Sequence, residues 1–414
     1  MINIHKLDLR TCAAISMLAL WASLTFSIAL MEISFVCALV FWLAWRIRSR
    51  EGTGLKDLTG FDWQLWGPLV LFLLAVFISF VVSEYPKQSF RGIFKIAKPA
   101  LAFFIAMDLF RENRSFERFR SVFLWTFLIV AIDCSIQYAF GKDILRGFAA
   151  EDSSAGIRLV GPFGNFAKMA TYLVLVIPVF SLLFCRDFIQ KERRKKSFYF
   201  LLLALAGFTL LYLTRCRGPV LALAVSFLLL FSYKRWFKAI GVMFILLLAL
   251  LAVTPREMII HLDAEKKEQS IIERFELWKR ALHVIEIKPW TGTGINTYNV
   301  AHEKYDKTKN WRVRGYYAHN GYLQLTAEIG IPGILFLLFF FLMLFRKSLK
   351  AAQNLKGLPQ EYDLLGLLTA LLAFLIYAAF DNNLQSPPSL MMFWYLAGIT
   401  LALTRPNTAP KINT

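Results

Sequence analysis

The chain has 414 residues, 57% of them hydrophobic and 18% charged, with 39 Phe and 11 Trp. An ordinary soluble domain carries about 25% charged residues, whereas here the apolar residues gather in runs of about 17–25, the length that crosses a hydrocarbon core about 30 Å thick. That excludes a soluble enzyme, a disordered chain and a nucleic-acid-binding domain, and it makes the formal charge of +19 a topology signal rather than a nucleic-acid footprint.

The apolar runs predict twelve spans, at 11–29, 32–46, 65–83, 92–110, 121–140, 167–185, 197–214, 218–233, 239–254, 328–345, 363–380 and 389–404. The first two runs follow each other with no small-residue cleavage site between them, so the first reads as a retained span and not as a signal peptide. With the N-terminus inside, short inner loops are densely basic. One holds Arg111, Arg114, Arg118 and Arg120, and another Arg186, Lys191, Arg193, Arg194, Lys195 and Lys196. The basic residues of the outer side concentrate in one long segment, 255–319, which the positive-inside rule discounts. The expected protein is therefore an all-α integral membrane protein of about twelve transmembrane helices and one large outer loop, with both termini cytoplasmic. It divides into helices one to nine (1–254), the loop (255–327), and helices ten to twelve with a cytoplasmic tail (328–414).

Three outer segments interrupt the spans. The first, 83–90, leads into a span whose outer turns carry Arg91, Lys95 and Lys98; the second, 141–166, is rich in glycine and charge. The third, 255–320, contains Ile271, Phe275, Trp278, Leu282 and Ile285 at helical spacing, with Arg274, Lys279 and Arg280 on the other face. Such a helix suits the membrane surface. Lys288-Pro-Trp-Thr-Gly-Thr-Gly294 then ends it with turn chemistry.

Metal and disulfide chemistry find no support. Cys12, Cys37, Cys134, Cys185 and Cys216 lie in or beside apolar runs without a CxxC pair, and Asp306 stands where His302-Glu303 would need a second histidine to form a zincin helix. Cations at membrane depth do need a reason, because each costs about 2.5–3.5 kcal/mol on insertion scales. Lys95, Lys98, Arg215 and Arg217 all fall at the outer face. They are either snorkelling anchors or a phosphate clamp, for which a guanidinium fork is suited and a lysine supplies a point charge. His319 closes the large loop and is a packing or capping residue or a general base. Glu328 and Asp381 lie near the outer face, and Asp133, the acid well inside a span, could mark a proton or ion path.

At these residues the sequence resembles the O-antigen ligase and polymerase superfamily, GT-C-like membrane glycosyltransferases that act on undecaprenyl-diphosphate-linked glycans at the periplasmic side of the bacterial inner membrane. His319-Asn320, nine residues, then Gly330-Ile-Pro-Gly333 resembles the ligase pattern of a histidine and spaced glycines. Thr214-Arg215-Cys216-Arg217 resembles the family's Thr-x-x-Arg segment, which places its arginine on Arg217, with Arg215 beside it. The stretch from Glu273 to Trp278, followed by Lys288-Pro-Trp290 and Gly292-Thr-Gly294, resembles the part of the periplasmic loop that carries a second functional arginine, here Arg274.

The resemblance implies transfer of a glycan from undecaprenyl diphosphate to a sugar hydroxyl of lipid A–core oligosaccharide, metal-independent, without cofactor, and inverting. Arg217 and Arg274 would stabilise the departing diphosphate and His319 would take the proton. Arg215, Lys98, Lys95, Asn320, Gly330, Gly333 and Asp381 would contact substrate. The partners implied are the lipid-linked donor, the lipid A–core acceptor and membrane lipids. Two alternatives share the outer cations: a polymerase that uses a second lipid-linked glycan as acceptor, and a transporter of a polyprenyl-linked sugar. A transporter would call for inverted repeats, and none is visible in the sequence.

Overall fold

In a computed structural model, which describes residues 8–49, 62–153, 156–189, 194–239, 241, 264–305 and 317–404, the apolar runs are helices. They are α1 (Leu9–Phe26), α2 (Ile28–Ser49), α3 (Trp63–Val81), α4 (Pro86–Leu109), α5 (Asn113–Phe140), α6 (Phe166–Ile189), α7 (Arg194–Leu213) and α8 (Arg217–Tyr233). After the outer loop's α9 (Ala264–Ile287) and α10 (Tyr298–Tyr305) come α11 (Gly321–Asn354), α12 (Pro359–Tyr377) and α13 (Pro387–Leu403). Eleven of the twelve expected spans fall on these helices; the remaining one, 239–254, lies almost wholly outside the described residues. Seven helices among the described residues are long and apolar enough to cross a bilayer, and three shorter ones, in α7, α8 and α13, are apolar as well. The chain is a multi-pass membrane protein.

A short antiparallel hairpin, β1 (Glu151–Ser153) with β2 (Gly156–Arg158), interrupts the helices, and in it Glu151 faces Arg158. It belongs to the outer segment 141–166, which α5 holds down. Asp133 Oδ1 accepts the Ile144 and Leu145 N–H groups at 2.9 and 3.1 Å. One turn on, Gln137 Oε1 accepts those of Val160 and Gly161 at 3.1 and 2.9 Å. The intramembrane acid thus anchors backbone at the bundle's outer end, a role other than the proton or ion path its position suggested.

Aromatic side chains form the seams. Trp21 of α1 stacks on Phe123 of α5 at 5.1 Å and meets Tyr395 of α13 at 5.6 Å. Phe103 of α4 packs edge-on against Trp394 of α13 and Phe340 of α11 at 5.6 and 5.9 Å. α6, α12 and α13 are mostly buried, whereas Ile33, Val36, Val40, Leu43 and Ile47 form an exposed stripe along α2. An apolar face turned outward is what lipid as solvent permits.

Segments expected on the same side of the membrane meet at the same end of the bundle. At one end Arg10 pairs with Glu112 at 2.6 Å, Arg186 with Asp363 at 3.0 Å, Lys347 with Asp62 at 3.1 Å, and Lys234 with Glu361. At the other, Lys98 pairs with Glu32 at 2.6 Å, Glu84 receives Lys288 and Lys304, and the Leu159 N–H reaches the Leu213 carbonyl at 3.0 Å.

The surface helix of the outer loop is present as α9, with Phe275 and Leu282 of its apolar face exposed and one residue of the expected polar face, Arg280, turned inward. Leu277, Arg280, Ala281 and Val284 face the protein, Ala281 and Val284 clustering with Ala327 of α11, while Ile272, Phe275 and Leu282 are exposed. Arg280, expected on the polar face, is buried because the polar and protein-facing sides of the helix overlap there.

Candidate active site

The glycine spacing around Gly330 builds a seat for the outer loop. Asn320 caps α11, its Oδ1 accepting the Tyr322 and Leu323 N–H groups at 3.1 Å each. The helix then breaks at Gly330, which adopts φ 77°, ψ 168°, a region essentially closed to other residues. The break frees backbone groups, and the turn 288–294 takes them. Thr293 N–H donates to Ala327 O at 3.0 Å, Gly294 N–H to Glu328 O at 2.9 Å, and Ile331 N–H to Pro289 O at 2.8 Å. A Cβ on Gly330 would lie 2.3 Å from Trp290 O, and one on Gly292 would lie 2.3 Å from the Glu328 carbonyl. At Gly333 a Cβ would meet the Ile329 side chain at 2.8 Å.

Below this seat, buried Glu328 accepts the Asn296 and Tyr298 N–H groups at 2.9 and 3.3 Å and the Gln385 amide at 3.4 Å. Lys95 Nζ completes the network by donating to Asn296 Oδ1 and Gln385 Oε1, both at 3.1 Å. The network ties α4, the outer loop, α11 and the turn after α12 together.

His319 stands immediately before the cap, with φ 47°, a left-handed conformation uncommon for a non-glycine residue. Gly321 N–H donates to the carbonyls of Ala378 and Asp381 at 2.8 and 3.0 Å, so the start of α11 is stitched to the end of α12. Asp381 is itself fixed: Tyr377 Oη donates to its Oδ2 at 2.7 Å and Asn382 N–H to its Oδ1 at 2.8 Å. Burial depresses the His319 pKa below the ordinary imidazole value; Asp381 opposes the shift and Arg274 adds to it. The same two residues act on Cys216, whose thiol burial pushes up to about 11 against the Thr214 hydrogen bond and the positive field of Arg158. Arg274 from α9, His319, Asp381 and Arg158 from β2 therefore gather about the turn between α7 and α8. Arg215, in that turn, also has a left-handed backbone (φ 56°), and its guanidinium lies 4.8 Å from the Tyr212 ring centre.

Other residues expected at the site are placed differently. Arg217 is the first residue of α8, exposed, and pairs with no acid among the described residues. Lys98 is engaged by Glu32, and Lys95 by Asn296 and Gln385 of the Glu328 network. The Asn320 oxygen is used as a helix cap, and Gly330 and Gly333 serve backbone packing. Two residues near the site escaped the sequence reading. Tyr377 lies one helical turn before Asp381, a spacing that could have flagged it; Arg158 had as its signal only its place in a glycine- and charge-rich outer segment.

Residues 199–338 match the family model described as O-antigen ligase. The chain carries a domain of the O-antigen ligase/polymerase superfamily. This ligase-family domain runs from α7 to the middle of α11 and so holds Arg215, Arg217, Arg274, His319, Asn320, Gly330 and Gly333, while Lys95, Lys98, Arg158, Tyr377 and Asp381 lie outside it. Among curated proteins, none matches the chain. Among the described residues of the ligase-family domain and its surroundings, no three His, Cys, Asp or Glu side chains gather as a metal site would need.

Proposed function

We propose that the protein is an O-antigen ligase that transfers a glycan from undecaprenyl diphosphate to a sugar hydroxyl of lipid A–core, on the periplasmic face of the bacterial inner membrane. The observation that carries this reading is the convergence of Arg274, His319 and Asp381 at the turn between α7 and α8, within a multi-pass bundle that carries the family domain. The basic inner loops orient that end of the bundle outward, with both termini cytoplasmic.

The chemistry follows from the groups present. The acceptor oxygen forms a bond to the anomeric carbon as the bond from that carbon to the diphosphate oxygen breaks, with inversion. The acceptor proton passes to His319, whose lowered pKa keeps the imidazole neutral and able to accept it. Asp381, held by Tyr377, stabilises the imidazolium that forms. The negative charge growing on the diphosphate is met by Arg274 and by the arginines of the turn, of which Arg217 is exposed and Arg215 rests on Tyr212. Preorganised donors of this kind are typically worth about 10²–10³ each in rate. The exposed apolar side of α9, Ile272, Phe275 and Leu282, would sit among headgroups and roof the site.

The test is transfer by purified protein from undecaprenyl-diphosphate-linked glycan to lipid A–core in excess EDTA. Glycan on lipid A–core, lost in His319→Ala, is the expected result. Lengthened glycan still on the carrier would make the protein a polymerase, and no product from folded protein would point to transport.

A further inference from the structure

Arg158 stands outside the matched family domain, on a hairpin that the proposed chemistry does not use, yet it is built like a ligand-binding residue. Its position is over-determined. Leu159 is bonded to Leu213 at the end of α7, Val160 and Gly161 to Gln137, and the Phe166 ring supports the guanidinium at 4.1 Å. Stacking on an aromatic face fixes the plane of the fork and leaves its edge for an anion.

The Nε of this guanidinium is buried and has no hydrogen-bond partner among the described residues. Glu151 is its register partner across the hairpin, yet no ion pair joins them among those residues. A buried N–H donor without an acceptor is rare in folded proteins and calls for an explanation. The strand delivers Arg158 to the end of α7, directly before Thr214-Arg215-Cys216-Arg217, and its charge acts on Cys216 together with those of Arg274 and Asp381. A stacked, unpaired guanidinium at the mouth of a turn that already carries two arginines is suited to phosphate oxygens, which match its fork.

We propose that Arg158 is a further diphosphate-binding residue of this site, gripping the pyrophosphoryl group of the lipid-linked donor alongside the outer loop's Arg274. The inference rests on the ligase reading and adds to it a donor contact contributed by the hairpin.

The test measures binding of undecaprenyl diphosphate to purified protein in phosphatidylcholine nanodiscs, alongside donor and acceptor KM. Arg158→Ala should weaken undecaprenyl diphosphate binding by about 10- to 100-fold, the range for a hydrogen bond to a charged group. Donor KM should rise and acceptor KM stay unchanged. Arg158→Lys, which keeps charge and loses the fork, should recover only part of the loss. Should Arg158→Ala fail to fold, Arg158→Lys decides: reduced binding in folded protein supports the assignment, and undiminished binding overturns it. Wild-type binding in Arg158→Ala, with binding lost in Arg274→Ala, overturns the role of Arg158 and leaves the ligase reading standing. A wild-type protein with no affinity for undecaprenyl diphosphate overturns both. In nanodiscs doped with phosphatidylglycerol, loss of bound phosphatidylglycerol in Arg158→Ala with undecaprenyl diphosphate binding intact would assign Arg158 to a lipid headgroup and likewise overturn the proposal.

Discussion

Gly330→Ala tests whether the family's spaced glycines serve substrate or backbone. The residue sits at φ 77°, ψ 168°, where any side chain costs about 1–3 kcal/mol. The new methyl would also lie 2.3 Å from Trp290 O and 2.5 Å from its carbonyl carbon, atoms of a backbone that cannot rotate aside. Relief requires the turn 288–294 to lift off α11, which disrupts the hydrogen bonds of Thr293, Gly294 and Ile331, each worth about 0.5–1.5 kcal/mol. Strain and the loss of two or three bonds together predict a destabilisation of about 3–6 kcal/mol. Gly292→Ala meets Glu328 from the other side, with φ 65°, and should destabilise comparably. Since both break the same contact, the double variant should lose less than the sum of the two by about 1–3 kcal/mol. An unfolding titration in mixed micelles, followed by tryptophan fluorescence, reads all three. If Gly330→Ala unfolds with the wild type yet loses transfer activity, the glycine contacts substrate and the docking argument fails.

Further outcomes follow from the cluster around His319. Because the imidazole must be neutral to accept a proton, kcat/KM should fall as pH drops through a pKa below the ordinary imidazole value. Asp381→Asn removes a charge that favours the imidazolium and should move that acidic limb to lower pH. Arg274→Gln removes one that disfavours it and should move the limb up. Shifts in the same direction would remove these residues from the histidine's field. Tyr377→Phe deletes the donor at 2.7 Å from Asp381 and should slow transfer by about 10- to 100-fold, with the stability of the bundle preserved as a control. Lys95→Met strands Asn296, Gln385 and buried Glu328 and should destabilise by about 3–5 kcal/mol, leaving donor KM near wild type. A raised donor KM with unchanged stability would instead return Lys95 to the diphosphate.

The membrane helices were legible because each answers to a local requirement, an apolar run long enough to cross. α4 shows where composition alone falters: Lys87, Arg91, Lys95 and Lys98 crowd its outer half, yet it packs along α13 and α3 as a full-length helix. At the site, residue type and position near the outer face pointed to His319 and Asp381, whereas Arg274 came only through the family resemblance of the stretch around it. For Lys95 and Lys98 the sequence left open an anchor or a phosphate clamp, because their partners, Asn296, Gln385 and Glu32, lie far away in the chain. Asp133 looked like an isolated intramembrane acid for the same reason, its hydrogen bonds going to backbone N–H groups that no residue type announces. Arg158 was invisible because a three-residue strand has no period to read.

The basic residues at the other end of the bundle work at two moments. Arg10, Arg46, Arg111, Arg186, Lys234 and Lys347 are charges that the positive-inside rule counts while each helical hairpin emerges singly. In the assembled bundle Arg46 and Arg111 converge on Asp108, Arg186 is shared by Asp187 and Asp363, and Arg10, Lys234 and Lys347 meet Glu112, Glu361 and Asp62. Most of these acids come from helices or loops made earlier or later than the base they bind. If these loops are the inner ones, Arg10, Arg46 and Lys234 lack these partners during insertion and become clasps once the partner helices arrive. Neutralising one of those acids should leave topology intact and loosen assembly, whereas removing the base disturbs both stages of biogenesis.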